Sequence, residues 1–363
     1  MCGSPRDRGR AYGAAASRRV ANTLRAYADL FVAYAGLSWD QVTQYAQRYE
    51  AVIGDFDHAM IEEIHGIADG AGVGFLDILA LNVRTEVMYG LGEVRAAAEC
   101  TAFAAVPPAT VYGHTILGQN WDWHPAAFDS CVILAFDQED RPSIVTVVEA
   151  GLLSKMGMNS EGVGVVTNAM ATDVDCGHPG IPYHILLRAI QNCASVDQAV
   201  DLIRTVHRAS SANYLVADRS GRAVDLEVAP GGPDHVFEIE PSDGVVAHAN
   251  CFISPNATIN DQTAARKPLS LTRQRTMDQS LSTHAGRISV DVMKDVLQDH
   301  EHHPNALCRH PLENLAPIDR SATVASVIMD LDTLDFWVAD GQPCTHDYRL
   351  LTPSDVWPSA AGR

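Results

Sequence analysis

Cys100 stands where the texture of the chain changes. The residues before it read mainly as helix, and those after it fall into short apolar runs bounded by turn residues. A cysteine at such a junction is a candidate nucleophile held inside a precursor. A cut between Glu99 and Cys100 puts a thiol and a free α-amine on one residue. An α-amine has a reference pKa of about 7.7–8.0, so it can act as a general base at neutral pH without a histidine. Asp122 follows within Gly118-Gln119-Asn120-Trp121-Asp122-Trp123, at a separation that suits a strand, a turn and a return strand. A carboxylate brought back beside Cys100 can hold an ammonium or order a proton relay. A structural aspartate in a tryptophan-rich turn fits the same spacing.

Two further groups of residues invite chemistry. In Val246-Ala247-His248-Ala249-Asn250-Cys251-Phe252 a polar triplet ends a strand, where a side chain can point into a cleft. Asn250 can donate its amide to a developing oxyanion, and losing such a donor costs roughly 3–4 kcal/mol of barrier stabilisation; an asparagine in a plain turn is the alternative. In Asp299-His300-Glu301-His302-His303, with Cys308-Arg309-His310 behind it, histidines, acids and a cysteine suggest zinc. The spacing is poor, because there is no His-Glu-x-x-His and Pro304 prevents one helix from presenting all ligands on one face. No metal site is expected, and a polar loop ahead of Arg309 fits better. Met158-Asn159-Ser160-Glu161-Gly162 lacks the first glycine of a serine-hydrolase elbow, and no Gly-Lys-Ser/Thr closes Gly157–Gly164 as a phosphate loop. That stretch reads as a hairpin turning at Asn159–Gly162.

Residues 14 to 90 read as helices, with Ser38 as an N-cap, Gly70, Gly72 and Gly74 as a break, and Phe75–Met88 as the resumed pattern. After Cys100, strands are expected at Ala102–Val106, Thr115–Gly118, Val132–Phe136, Ile144–Val148 and Gly162–Asn168. Helices at Tyr183–Asn192 and Val196–Val206 precede strands at Tyr214–Ala217, Ala223–Val228, Val245–His248, Ala325–Leu331 and Phe336–Ala339. This order suggests two sheets enclosed or flanked by helices. The polar stretch Ile259–Lys267 is the candidate mobile loop.

The bulk composition narrows the function classes. The 363 residues are enough for one large domain or two ordinary ones, and 47% apolar content is that of a globular chain. A formal net charge of −19 argues against nucleic acid and anionic membrane surfaces as partners. The exception is the start, with Arg6, Arg8, Arg10, Arg18, Arg19 and Arg25, which reads as a solvated helix face. No stretch is apolar enough for a bilayer span or a secretion signal, and the eight cysteines form no Cys-x-x-Cys. A reduced, cytoplasmic setting is expected.

Taken together, Gly3–Arg10, Glu99-Cys100-Thr101-Ala102-Phe103, Gly118–Trp123, Lys155–Gly164, His248–Phe252, Cys308-Arg309-His310 and Thr323–Leu331 resemble the acyl-CoA:6-aminopenicillanate (isopenicillin N) acyltransferase-like family, peptidase family C45. They run in the family's order over nearly the whole chain. The resemblance implies the αββα fold of N-terminal nucleophile hydrolases, an α+β class with two stacked antiparallel sheets between helical layers. It implies self-cleavage between Glu99 and Cys100 into a helical pro-segment or α chain, 1–99, and a catalytic β chain, 100–363. By the same resemblance Cys100 is the nucleophile, Asp122 orders its amine, Asn250 lines the oxyanion hole and Arg309 supports the site. Where the penicillin-forming members carry glycine before the cysteine, this chain has Glu99.

The expected function is therefore amide hydrolysis or acyl transfer on small-molecule amides or acyl thioesters through an acyl-Cys100 intermediate. No cofactor is expected, and acyl-CoA would enter only as substrate. Phe103, Trp121 and Trp123 are candidates to wall an apolar acyl pocket, with structural core as the competing role. Three other readings need no self-cleavage: a papain-like enzyme with His114 or His248 as base, a zinc hydrolase centred on the histidine-rich segment, and a non-catalytic binding protein.

Overall fold

In the computed structural model of the chain, residues 1–91, 99–177, 179–263 and 270–357 are described. The N-terminal part is helical: α1 (Pro5–Ala15), α2 (Ser17–Ala35), α3 (Trp39–Ala46), α4 (Glu50–Phe56), α5 (His58–Ala71), α6 (Phe75–Asn82) and α7 (Arg84–Leu91). Ser38 caps α3 in a full capping box with Gln41. α1 and α5 pack backbone to backbone through Gly9 and Gly13 on one helix and Gly66 and Gly70 on the other. A Cβ on Gly9 would lie 2.2 Å from the Glu63 carbonyl oxygen, and one on Gly66 would lie 2.2 Å from that of Arg6.

The N-terminal helices correct three sequence expectations. Gly70 lies inside α5 as a contact residue, and the stop is Gly72, whose φ of 71° suits glycine in the left-handed region. Arg8 is not on a solvated face. It is buried against Glu63 at 3.1 Å, and the same carboxylate takes Arg188 at 2.9 Å. Phe75–Met88 is two helices: the Asn82 amide donates to Ile78 and Gly151 carbonyls and accepts from the Leu153 N–H, ending α6 there.

After Cys100 the chain builds two antiparallel sheets. The first contains β1 (Glu99–Ala105), β2 (Ile116–Trp123), β10 (Val245–His248), β11 (Ala322–Asp330), β12 (Asp335–Ala339) and β13 (Arg349–Leu351), in the order β10-β1-β2-β11-β12-β13. The second runs β3 (Cys131–Phe136), β4 (Ile144–Glu149), β5 (Met156–Asn159), β6 (Val163–Ala169), β7 (Ala212–Asp218), β8 (Ala223–Val228) and β9 (Val236–Ile239), adjacent in sequence order. The hairpin between β5 and β6 turns at Asn159–Gly162, with Gly162 at φ 82°. Each expected strand lies within one of these elements or overlaps it.

The sheets stack face to face. Ala102, Ala104, Leu117 and Val327 of the first pack against Val145, Met156, Met158, Val166 and Leu215 of the second. Gln119 on β2 clamps the layers together: its amide donates to the Thr167 carbonyl at 2.6 Å and accepts from the Thr167 N–H at 2.9 Å. Outside the first sheet lie α10 (Ser270–His284) and α11 (Val290–Leu297), which cover Phe103, Ala105 and Ile328. Outside the second lie α8 (Tyr183–Gln191), α9 (Val196–Thr205) and the N-terminal helices, which share one core with Val163, Val165 and Val216. The architecture is αββα. The helices before Cys100 are joined to the second sheet by packing rather than standing apart from it.

Of the polar stretch Ile259–Lys267, residues 264–267 lie outside the described residues. Asp261 is held there, accepting from the Phe252 N–H at 2.9 Å and the Thr263 N–H at 2.7 Å. No described helix is long and apolar enough to cross a membrane.

Candidate active site

Strand alternation decides which side chains meet. Along β1, Cys100, Ala102 and Ala104 face the second sheet, whereas Phe103 and Ala105 face the outer helices. The pairing of β1 with β2 sets Glu99 opposite Asp122 and Cys100 opposite Trp121, so the return strand brings residue 122 back beside the Cys100 backbone. Along β2, Gln119 reaches the second sheet, whereas Asn120 donates outward to the Leu297 and Leu307 carbonyls. Asp122 therefore shares the outward face of β2, and its Oδ1 accepts the Thr323 hydroxyl at 2.6 Å. Phe103 is a correction: it is buried among Met277 and Leu281 of α10 on the face away from Cys100, so it cannot wall a pocket beside it.

Two side chains converge on the backbone of Cys100. Its N–H donates to Asn250 Oδ1 at 2.9 Å. Its carbonyl accepts from Arg273 Nη1 at 2.5 Å, and that guanidinium also donates to Thr101 Oγ1 at 2.8 Å and to Asn250 Oδ1 at 2.9 Å. Both partners of Oδ1 are obligate donors, which assigns the oxygen of the Asn250 amide to this side. The amide nitrogen, the atom expected at an oxyanion, is turned to the Ala169 carbonyl at 3.0 Å. Arg309 is half-buried, and its N–H donates to Thr323 Oγ1 at 2.9 Å. One threonine hydroxyl thus links Asp122 to the Arg309 backbone.

A cavity of about 40 Å3 opens beside Cys100. Arg84, Met88, Trp123, Lys155 and Tyr183 line it, so its wall draws on both sides of the Glu99–Cys100 bond. Trp123 stacks on Tyr27 with ring centroids 6.3 Å apart, while Trp121 lies fully buried under Lys155, whose Nζ is 3.3 Å from the ring centroid. Below runs a buried ionic network. Arg84 Nη2 lies 2.6 Å from Glu149 Oε2, the Tyr27 hydroxyl donates to Glu149 Oε1 at 2.5 Å, and Lys155 Nζ lies 3.6 Å from Oε2.

Burial sets the proton chemistry. It pushes the Cys100 thiol up to about 11; the Lys155 and Arg273 charges pull the other way, and Asp122 adds to the rise. The thiol is accordingly protonated at neutral pH and needs a base. Burial also pulls the Lys155 ammonium down to about 8, against the opposing field of Glu149. Lys155 and Arg273 were not among the site residues expected from sequence. Lys155 lay inside the family-like stretch Lys155–Gly164, and no sequence signal marked Arg273.

The two histidines offered as papain-like bases do not line this cavity. His114 pairs with Asp330 at 2.8 Å. His248 is fully buried, with Nε2 2.9 Å from Glu227 Oε1 and Nδ1 2.6 Å from the Ala249 carbonyl. Burial pulls this imidazole down, but Asp225 and Glu227 outweigh it and raise it to about 9. Burial raises Asp225 to about 7. A folded-state pKa above the unfolded value stabilises fully below the unfolded value of about 6.5 and is lost as pH climbs through 9. Folding stability should therefore fall between about pH 6.5 and 9 by on the order of 1–3 kcal/mol through His248. Urea titrations across that range, wild type against His248→Gln, check it: the difference between the two should shrink as pH rises.

With this geometry in view, comparison with known proteins decides the family. The family model for acyl-coenzyme A:6-aminopenicillanic acid acyl-transferase matches residues 111–343. The chain belongs to that family. It is 26% identical over 329 residues to the acyl-coenzyme A:6-aminopenicillanic-acid-acyltransferase 40 kDa form of Emericella nidulans, covering 90% of this chain and 88% of the relative. Among solved structures it is similar to the C2A mutant of the conjugated bile acid hydrolase from Clostridium perfringens. That match has 11% identity and a TM-score of 0.45, over 71% of this chain and 98% of the other. It is also similar to penicillin V acylase from Agrobacterium tumefaciens, with 12% identity and a TM-score of 0.43 over 71% and 88% of the two chains. Membership in an acyltransferase family makes the chain an enzyme of acyl chemistry, and the matched range includes Asp122, Lys155, Asn250, Arg273 and Arg309.

Proposed function

We propose that this enzyme is a self-processing cysteine amidohydrolase or acyltransferase with Cys100 as its nucleophile. The observation that carries the reading is the placement of Cys100. Cys100 lines the cavity while its own nitrogen is held by Asn250 and its carbonyl by Arg273. The residue that carries the thiol and would carry the free amine is therefore fixed at both ends of its backbone.

In the precursor, the Cys100 thiol attacks the carbonyl carbon of Glu99. Lys155, near neutrality in the same cavity, accepts the thiol proton. The bond from the Glu99 carbonyl carbon to the Cys100 nitrogen breaks, the nitrogen takes a proton, and a thioester is left on sulfur. Water hydrolyses the thioester, giving a carboxylate on residue 99 and a free thiol and α-amine on Cys100. In the mature enzyme that amine, held by Asn250 Oδ1, takes the thiol proton, so base and nucleophile share one residue. Attack on an amide or acyl thioester yields acyl-Cys100 and releases the amine or thiol. Water then completes a hydrolase, and an amine completes a transferase. Asp122, fixed by Thr323, supplies negative charge for the α-ammonium, and the segment carrying Arg309 holds Thr323 in place. Trp123 contributes apolar wall for the acyl group. A thiol nucleophile suits a reducing, cytoplasmic setting.

Intact-mass measurement tests the reading. The purified enzyme should give two chains divided between residues 99 and 100. A panel of amides and acyl-CoA thioesters should include a member that adds one acyl mass to the C-terminal chain. Cleavage of fresh precursor should speed up as pH rises through about 8, because Lys155 must lose its proton to accept another. An uncut chain with full activity would refute self-processing.

A further inference from the structure

Away from the Cys100 cavity, four metal-ligating side chains meet at one point. His300, Cys308, His310 and Cys344 place one ligand atom each within 4.8 Å of all the others. The sulfurs of Cys308 and Cys344 are 3.5 Å apart, and Nε2 of His300 and of His310 are 3.0 Å apart. His310 Nε2 lies 3.2 Å from the Cys344 sulfur and 3.8 Å from that of Cys308. With Zn–S near 2.3 Å and Zn–N near 2.0–2.1 Å, the edges of a tetrahedral site are about 3.8 Å for S–S, 3.3 Å for N–N and 3.5 Å for N–S. Three of these four separations are slightly shorter than those edges and the fourth, His310 to Cys308, is slightly longer, while His300 stays within 4.8 Å of both sulfurs.

We propose that these four residues bind one zinc ion as a closed Cys2His2 site. The donor set suits the metal, since two thiolates and two imidazoles in tetrahedral array select zinc among the common divalent ions. On binding, Zn2+ replaces the two thiol protons, which pass to solvent. The two thiolate charges then neutralise the ion, so Cys308 carries no unpaired charge into its buried position. Four protein ligands leave no position for water, which makes the ion structural rather than hydrolytic.

The sequence showed three of these ligands at a spacing that matched no zinc motif, and it gave no sign of the fourth, Cys344, which comes from a separate segment. His300, Cys308 and His310 lie in the connection between α11 and β11, and Cys344 lies beyond β12. His302 and His303, prominent in the sequence, are not in the cluster. The metal would cross-link a long connection to a distant turn. Arg309 sits between two of the ligands, and its backbone is already tied to Thr323 and thence Asp122. The zinc would thus brace the strap beside the active site without entering it.

The test uses full-length protein without a histidine tag, purified under reducing conditions from zinc-supplemented medium. Elemental analysis should find about one zinc per chain, and cobalt replacement should give the visible absorption of a tetrahedral thiolate site. Cys344→Ser, and independently His300→Gln at an exposed position, should each cut zinc affinity at least about tenfold. His300→Gln disturbs no core packing, so its loss of metal can be read on folded protein. Wild-type protein with less than about 0.1 zinc per chain would overturn the site. So would Cys344→Ser protein that retains wild-type affinity, or a Cys308–Cys344 disulfide in the reduced preparation.

Discussion

Cys100→Ala protein is expected to remain one uncut chain and to lose on the order of a million-fold in kcat, the scale of removing a catalytic nucleophile. Cys100 is fully enclosed, so the substitution leaves a small cavity and costs only about 1 kcal/mol of stability. Loss of activity would then be chemical rather than structural, and a near-wild-type unfolding curve would establish it. Cys100→Ser sharpens the result. The substitution leaves the Asn250 and Arg273 contacts to the backbone in place, but the hydroxyl is a weaker nucleophile, so cleavage should slow strongly. Cys100→Ala protein that still divides after residue 99, by intact mass, would assign the nucleophile elsewhere.

The second large effect lies under the cavity. Glu149→Ala should destabilise the protein by about 3–5 kcal/mol, because it strands Arg84 as a buried cation without its counter-charge and removes the partner that keeps Lys155 charged. Burial pushes the Glu149 carboxyl up, but Arg84, Lys155 and the Tyr27 hydroxyl outweigh it and hold it below its ordinary value. A depressed carboxylate pKa gives stability that is present above the unfolded value of about 4.5 and lost as pH falls through the folded value. Acid unfolding of the wild type should therefore show this contribution, and that of Glu149→Ala should lack it. Arg84 lies on α7 and Glu149 on β4, on opposite sides of the proposed cut. After processing, the network becomes an interface between two chains. Size-exclusion chromatography of the processed variant should show the N-terminal chain dissociating more readily than in wild type. Unchanged chain association and denaturant midpoint would rule out this role.

Much of the architecture was legible because it rests on local patterns. Ala223–Val228 and Val245–His248 begin and end where their apolar runs do, and the β5–β6 turn sits on the residues that favour it. α10 was not legible for an instructive reason. Its buried face is Ser270, Arg273, Gln274, Met277 and Leu281, which has helical spacing but is mostly polar. Apolar periodicity misses a helix whose inner face hydrogen-bonds a site instead of filling a core. Arg273 went unseen with it. Phe103 shows the converse. Its type suited an apolar pocket, but one residue of strand register places it on the opposite face of the sheet from the Cys100 side chain.

The sequence by itself determined the site's chemical inventory. It contained a cysteine at the junction of helical and strand-rich parts, an aspartate on the return strand, and Asn250 and Arg309 in family-like order. Those signals are readable because residue type and local spacing carry them. Tertiary structure alone decided which of these side chains meet, and in what protonation state. Lys155 is pulled toward neutrality only because folding buries it against Trp121, in opposition to the nearby Glu149 charge. Asn250 turns its oxygen to Cys100 only because Arg273 arrives from another layer. Cys344 joins His300, Cys308 and His310 only because the connections around the first sheet close there. Desolvation and long-range convergence depend on the completed packing, and no stretch of the chain encodes either one alone.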